Sequence, residues 1–289
     1  MRRNFEYGQV ILIVLLVMAV GVTIGLSVAN RAVTDVKLST QVEESNRAFS
    51  AAETGIEEVL RQELASVPET FGNTVQTDTH TAKYDVKLSP LGTTIDVFAF
   101  PDYIADGDYQ TVWLVNQLST GPDVVNRVYN ADSIEICFSA EDATVPAIEV
   151  AFFAQDGGVL KIARNFYDPE TRGNNFTSVA DTSGGYCTTT EGTSYQYRVS
   201  IADLKSFDPT INMTINYIPV ALRFRPIYSG AYIAVSPQGG ESLPEQGKNI
   251  VSTGSTDSGV TRKWSVEQHY PAPQDIFDYA VWSGGDLTK

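Results

Sequence analysis

The sequence predicts an α+β chain: one long N-terminal α-helix followed by a mainly antiparallel, sandwich-like β-rich globular domain. Three observations predict it. The segment Val10–Ala29 (VILIVLLVMAVGVTIGLSVA) is almost wholly apolar, and no charge stands between Glu6 and Arg31. From Asn30 to Ser66 there is no proline and a single glycine, Gly55, while apolar residues recur at helical spacing. After Pro68 the apolar pattern shifts to a period of two, with Gly, Pro, Asn and Ser between the runs.

The first of these segments is long enough for a membrane. Twenty residues at 1.5 Å each span about 30 Å, the thickness of the hydrocarbon layer, and a helix satisfies its own backbone there. The run exceeds the apolar core of about 7–15 residues of a secretory signal, and no A-x-A site follows it. Arg2 and Arg3 precede it, so the positive-inside rule places the N-terminus in the cytoplasm and everything after the span outside. Gly21 and Gly25 make a G-x-x-x-G step, a spacing that lets helices pack closely and that also arises by chance in membrane helices.

The helix is expected to continue. Leu38, Val42, Ser45, Phe49, Ala52, Ile56 and Val59 recur at steps of four and three, and form one stripe. Glu43, Glu44, Arg47, Glu53, Glu57, Glu58 and Arg61 occupy the other faces. The stripe reads as a docking face for a globular domain, and Pro68 and Gly72 end the helix. The expected organisation is a leader over 1–8, a helix over 9–66 with its membrane span at about 10–29, and a β-rich domain over 72–289.

These residues carry a family resemblance. A short basic leader ends in Gly8, an uncharged apolar segment follows, and an amphipathic helix then reads Arg-Ala-Phe-Ser-Ala-Ala-Glu-Thr-Gly-Ile-Glu over 47–57. This N-terminus resembles that of type IV pilins with a class III signal, and most of all the PilX-type minor pilins. The resemblance covers about residues 1–65. It implies cleavage between Gly8 and Gln9 by a membrane prepilin peptidase, methylation of Gln9 as the new N-terminus, and assembly with other pilin subunits through the helix. It also implies residence in the inner (cytoplasmic) membrane before assembly, and in an extracellular filament or on the cell surface afterwards. Two positions depart from the pattern. Gln9 stands where most pilins have Phe, and Ile13 stands where most have a glutamate thought to pair with a neighbour's terminal ammonium. A buried charge is tolerable only when paired, so a chain with Ile13 cannot accept that amine. The resemblance therefore implies a minor or tip-proximal subunit, or a pseudopilin. An uncleaved, membrane-anchored surface protein that binds its ligand alone is the alternative.

Beyond Pro68, alternation predicts strands at Lys83–Leu88, Thr94–Phe98, Ser133–Phe138, Tyr195–Ile201, Asn212–Tyr217, Ala221–Phe224, Ala231–Val235 and Arg262–Glu267. Ile148–Ala154 and Val159–Ala163 flank Asp156-Gly157, a strong hairpin signal. The segments 165–193 and 237–259 read as loops. The domain is expected to be one module, with a split near 200–210 as the alternative. The C-terminal run Pro271–Gly285, with Phe277, Tyr279 and Trp282, is apolar enough to dock or to form a last strand.

Little chemistry is written in the sequence. With 35 acidic and 20 basic residues the net charge is −15, which argues against nucleic acid as a partner. Two Cys and two His are few for a zinc site, and His80 and His269 lie in no nucleophile motif. No cofactor is expected and the chain does not read as an enzyme. Cys137 and Cys187, both placed outside the cell, form one bridge or remain free thiols. Asp102, Asp106 and Asp108 offer oxygens for Ca²⁺ without the spacing of an EF-hand, and read more simply as a solvated turn. Asn175-Phe-Thr177 and Asn212-Met-Thr214 match the glycosylation sequon.

Overall fold

The computed structural model describes residues 6–62, 67–77, 80–93, 96–116, 129–141, 143–179, 181–208, 211 and 213–274. It has the α+β architecture that the sequence predicts, one long helix followed by antiparallel sheets. Helix α1 runs unbroken over Glu6–Leu60, about 80 Å at helical rise. Arg61 N–H donates to the Glu57 carbonyl at 3.1 Å and Gln62 N–H to that of Val59 at 3.0 Å, which closes the last turn. Residues 63–66, to which the expected helix extended, lie outside the described residues.

The strands are β1 (Thr70–Thr77), β2 (His80–Leu91), β3 (Phe98–Ala99), β4 (Gln110–Trp113), β5 (Ile134–Ala140), β6 (Ala147–Asp156) and β7 (Val159–Asp168). They continue with β8 (Thr177–Ser178), β9 (Asp181–Tyr186), β10 (Tyr195–Ile201), β11 (Ile218–Ile227), β12 (Ala231–Pro237), β13 (Gly247–Thr256) and β14 (Thr261–His269). They form a sheet of order β1-β2-β13-β14 and two five-stranded sheets, β3-β12-β5-β10-β9 and β4-β11-β6-β7-β8. β1 with β2, β5 with β10 and β12, β9 with β10, β3 with β12, β11 with β4 and β6, and β6 with β7 all pair antiparallel, whereas the short β8 pairs with β7 in parallel. Two compact units result: Met1–Leu88 with Ile250–Val266, and Ser89–Asn249 with Glu267–Lys289. The chain passes between them inside β2, β13 and β14.

In the second unit the two five-stranded sheets share one core. Ile134, Ile136 and Phe138 of β5 and Ile233 and Val235 of β12 meet Ile148, Val150 and Phe152 of β6 and Leu222 and Phe224 of β11, all fully buried. This is the sandwich expected from period-two strands with one apolar face. β6 is central, paired with β11 on one side and β7 on the other. Its outward Glu149 is covered too, held by Arg164 at 3.4 Å and Arg225 at 3.6 Å.

The β6–β7 hairpin turns at Gly157 and Gly158, whose φ of +59° and +83° match the left-handed pair that a two-residue hairpin needs. Asp156 before the turn accepts from Lys161 Nζ at 2.7 Å, from the Thr214 amide at 3.0 Å and from the Thr214 hydroxyl at 2.5 Å. That anchor corrects the expected strand at Asn212–Tyr217. Residue 212 lies outside the described residues, and 213–217 form a turn instead. Thr214 is drawn to Asp156, Met213 and Tyr217 enter the core, and Ile215 is left 79% exposed. Lys161 and Thr214 hold the Asp156 carboxyl down to about 2. A depressed pKa contributes stability that is present above the ordinary value near 4 and is lost as pH falls toward 2. The stability difference between the native chain and an Asp156→Asn variant is therefore expected to shrink over that window. Urea midpoints measured along a pH series check it.

A second buried carboxylate closes β7. Asp168, 2% exposed, pairs with Arg172 at 2.5 Å and accepts from Asn174 at 2.7 Å and from the Glu170 amide at 2.8 Å. Burial pushes its pKa up, but these donors outweigh burial and hold it below the usual carboxylate range. Arg172 also donates to the Val145 carbonyl at 2.6 Å and lies 4.7 Å over the Tyr228 ring.

Three further expectations are corrected. β1 and β4 were not anticipated. The segment 165–193, expected as a loop, carries the end of β7 and all of β8 and β9. The segment 237–259, likewise expected as a loop, carries β13, which lies in the middle of its sheet.

Candidate functional site: a helix with one covered half

The first unit is organised around α1. Ala51, Ile56 and Val59 are buried with Tyr84, Val86 and Leu88 of β2 and Ile250 of β13, and Ala48 and Ala52 are buried beside Gly254 of β13. Small residues set the closeness of this packing. A Cβ on Gly254 of β13 would run into the Ala48 carbonyl oxygen and lie 2.7 Å from the Ala52 nitrogen. A Cβ on Gly55 of the helix would lie 2.9 Å from Tyr84 Cδ2 and from Val86 Cγ2. Such contacts force something to move, so the backbones approach only because glycine stands on both sides.

Polar and aromatic contacts flank the seam. Arg262 Nε donates to Ser45 Oγ at 2.9 Å, Ser258 Oγ to Glu44 Oε2 at 2.8 Å, and the Tyr84 hydroxyl to Glu58. Burial raises the Tyr84 pKa, and the neighbouring Glu58 raises it further. Phe49 stacks on Trp264 with ring centroids 4.8 Å apart. The expected stripe is thus covered at Ala52, Ile56 and Val59. It is uncovered at Leu38 and Val42, which are 60% and 53% exposed.

N-terminal to this seam nothing among the described residues covers the helix. Its apolar residues from Val10 to Val28 stand out at roughly half to two-thirds exposure, Ile13 at 55% among them. The window of strongest hydropathy is wholly uncovered, and the helix is long and apolar enough to cross a membrane. The space beside Gly21 and Gly25 is open, so both are free to receive another helix. Gly8 and Gln9 lie within the first turns of α1.

No protein-family model matches this chain, and no curated protein matches it.

The remaining sequence candidates fall as follows. Cys137 on β5 and Cys187 after β9 form a disulfide with Cα atoms 6.2 Å apart. Both are buried, in a small cluster with Tyr195 and Ala234 that is separate from the main core. Asp106 and Gly107 form a turn in which Asp108 N–H donates to the Ala105 carbonyl at 3.1 Å. Asp102, Asp106 and Asp108 do not converge, and among the described residues no group of three Asp, Glu, His or Cys could hold a metal ion. Asn175 is exposed with φ of +61°; Asn212, and the C-terminal run from 275 with Phe277, Tyr279 and Trp282, lie outside the described residues. His269 packs on Phe98; burial pushes its pKa down, while Glu267 and Asp102 oppose the shift.

Sequence reasoning missed the glycine partner of the helix. Ala48, Ala51, Ala52 and Gly55 belong to the segment 47–57 that carries the family resemblance. Gly254 sat in a stretch rich in Ser, Thr and Gly that resembles a loop by composition.

Proposed function

We propose that this chain is a minor, structural subunit of a type IV pilus or a related filament, a minor pilin or pseudopilin. Its helix is held first by the cytoplasmic membrane and then by the helices of neighbouring subunits. The observation that carries the reading is the division of α1. One half is sealed against a sheet of its own chain, and the other, apolar all round, is covered by none of the described residues. A helix of that kind needs lipid or other helices. Prepilin peptidase would cut between Gly8 and Gln9 and methylate Gln9, leaving the apolar segment in place as filament core. Ile13, where most pilins carry an acid, favours a minor or tip-proximal place. The β-rich part then stands outside the cell, available for contacts with subunits or ligands, and its acidic excess keeps it soluble.

N-terminal sequencing with mass spectrometry tests the reading on protein recovered from its native membranes and from sheared surface filaments. A mature chain beginning at methylated Gln9 is the expected result. An intact Met1 overturns it in favour of an uncleaved, membrane-anchored surface protein.

A further inference from the structure

The outer face of the sheet β3-β12-β5-β10-β9 carries a cleft of about 630 Å³. Its floor is built on the cluster around the disulfide: Val97, Ala99, Tyr195 and Tyr232. One wall is the loop that follows Cys187, with Thr189, Glu191, Thr193 and Ser194 facing the space. This wall is fastened at both ends. Cys187 is bonded to Cys137 of β5, and Tyr195 enters β10, where it pairs with Tyr186. Within the loop Thr189 N–H donates to the Thr193 carbonyl at 2.9 Å and Thr193 N–H to the Thr189 hydroxyl at 3.1 Å. Glu267 lines the cleft as well.

Charge and surface chemistry narrow what fits. No Lys or Arg lines the cleft, so its two carboxylates are uncompensated from within. Among the described residues neither the Glu191 nor the Glu267 carboxylate makes a hydrogen bond or an ion pair, and Glu267 acts on His269 only through its charge. Two tyrosine rings lie in the same space, and Tyr103 packs edge-on against Tyr232 at 5.4 Å. Carboxylates repel anions, and ring faces attract cations while covering methylene groups. A concave, partly apolar site with a few polar groups is the usual form of a small-ligand site.

We propose that this cleft binds an organic cation, an alkylammonium or guanidinium group. Its charge is set against Glu191 and Glu267 and its carbon chain against Tyr195 and Tyr232. The Thr and Ser hydroxyls of the loop serve the polar groups attached to that chain. The inference does not depend on the filament reading, since it uses only the second unit.

Calorimetric titration of the full-length protein in detergent tests it with three probes: Nα-acetyl-arginine methylamide, its neutral citrulline isostere, and choline. The expected result is saturable binding of a cation at least about tenfold tighter than of the citrulline analogue. A Glu191→Gln/Glu267→Gln double variant is expected to bind the cation no better than the native protein binds citrulline, with an unchanged thermal melt. Tighter binding of the arginine probe assigns the cation to a peptide; tighter binding of choline assigns it to a lipid or glycan headgroup. Equal binding of the arginine and citrulline probes, no saturable binding of either cation, or native affinity in the double variant overturns the proposal.

Discussion

Replacing Gly254 by valine is expected to separate the four-stranded sheet from the helix it covers. The first added carbon already collides with the Ala48 carbonyl of α1, and the backbone on the other side has no rotamer by which to yield. Overpacking of a well-fitted interior costs about 1–3 kcal/mol, and a clash between two backbones belongs at the upper end. The stripe Ala48–Val59 would then lose its cover. Hydrogen exchange is expected to rise in α1 from Ala48 to Leu60 and in β13, with little change in the core between β5, β6, β11 and β12. A Gly254→Val protein that melts and exchanges like the native chain would refute this account of the seam. Position 259 supplies a control. Gly259 has open space around its Cβ, so alanine there meets only the strain of a φ of +87°.

Loss of Asp168 is expected to be the next most damaging single change. This buried carboxylate gathers Arg172, Asn174 and the Glu170 amide, and Arg172 in turn reaches the Val145 carbonyl. Asp168→Ala leaves the Glu170 amide and the Asn174 side chain without this acceptor, and Arg172 with only Glu170 at 2.8 Å and the Val145 carbonyl at 2.6 Å. Breaking a buried pair from one side costs about 3–5 kcal/mol, and partial access of water to Arg172 places this case near the lower figure. Asp168→Asn keeps an acceptor for the amides and is expected to lose clearly less. Chemical denaturation of the two variants side by side checks the order, and equal losses would show that the charge itself contributes little.

Much of this architecture was legible because the two periods are distinct. The uncharged run Val10–Ala29 and the stripe ending at Val59 could belong only to a helix. β5, β6, β7, β10, β11 and β12 announce themselves by alternation, and the β6–β7 turn by Asp156-Gly157. Strands failed to show where burial did not follow hydrophobicity. β13 reads Gly-Lys-Asn-Ile-Val-Ser-Thr-Gly-Ser-Thr, and its buried positions include Ser252, Gly254 and Thr256. What qualifies them is their small size beneath the helix, a property of the partner surface rather than of local pattern. The reverse error arose at 212–217. There the alternation is sound, but the side chain of Asp156, distant in sequence, turns Thr214 inward. The cleft was not legible at all. Tyr195, Tyr232, Glu191 and Glu267 are far apart along the chain, and only the pairing of β5 with β10 and β12 brings the rings onto one face.

The passage of the chain between its two units inside β2, β13 and β14 has a consequence for biosynthesis. The helix and its first two strands are complete early, whereas the strand that carries Gly254 is made only after residues 89–249. Residues 89–249, the larger piece of the second unit, are therefore inserted between the two pieces of the first. Until the ribosome has passed that insertion, α1 has only β1 and β2 to cover its stripe, and Ala48 and Ala52, which Gly254 meets in the folded protein, lack that cover. Such a late closure of distant contacts is slow and exposes apolar surface on the way. A chaperone or a membrane surface that shields residues 48–59 during this interval would protect the chain when it is most prone to aggregate.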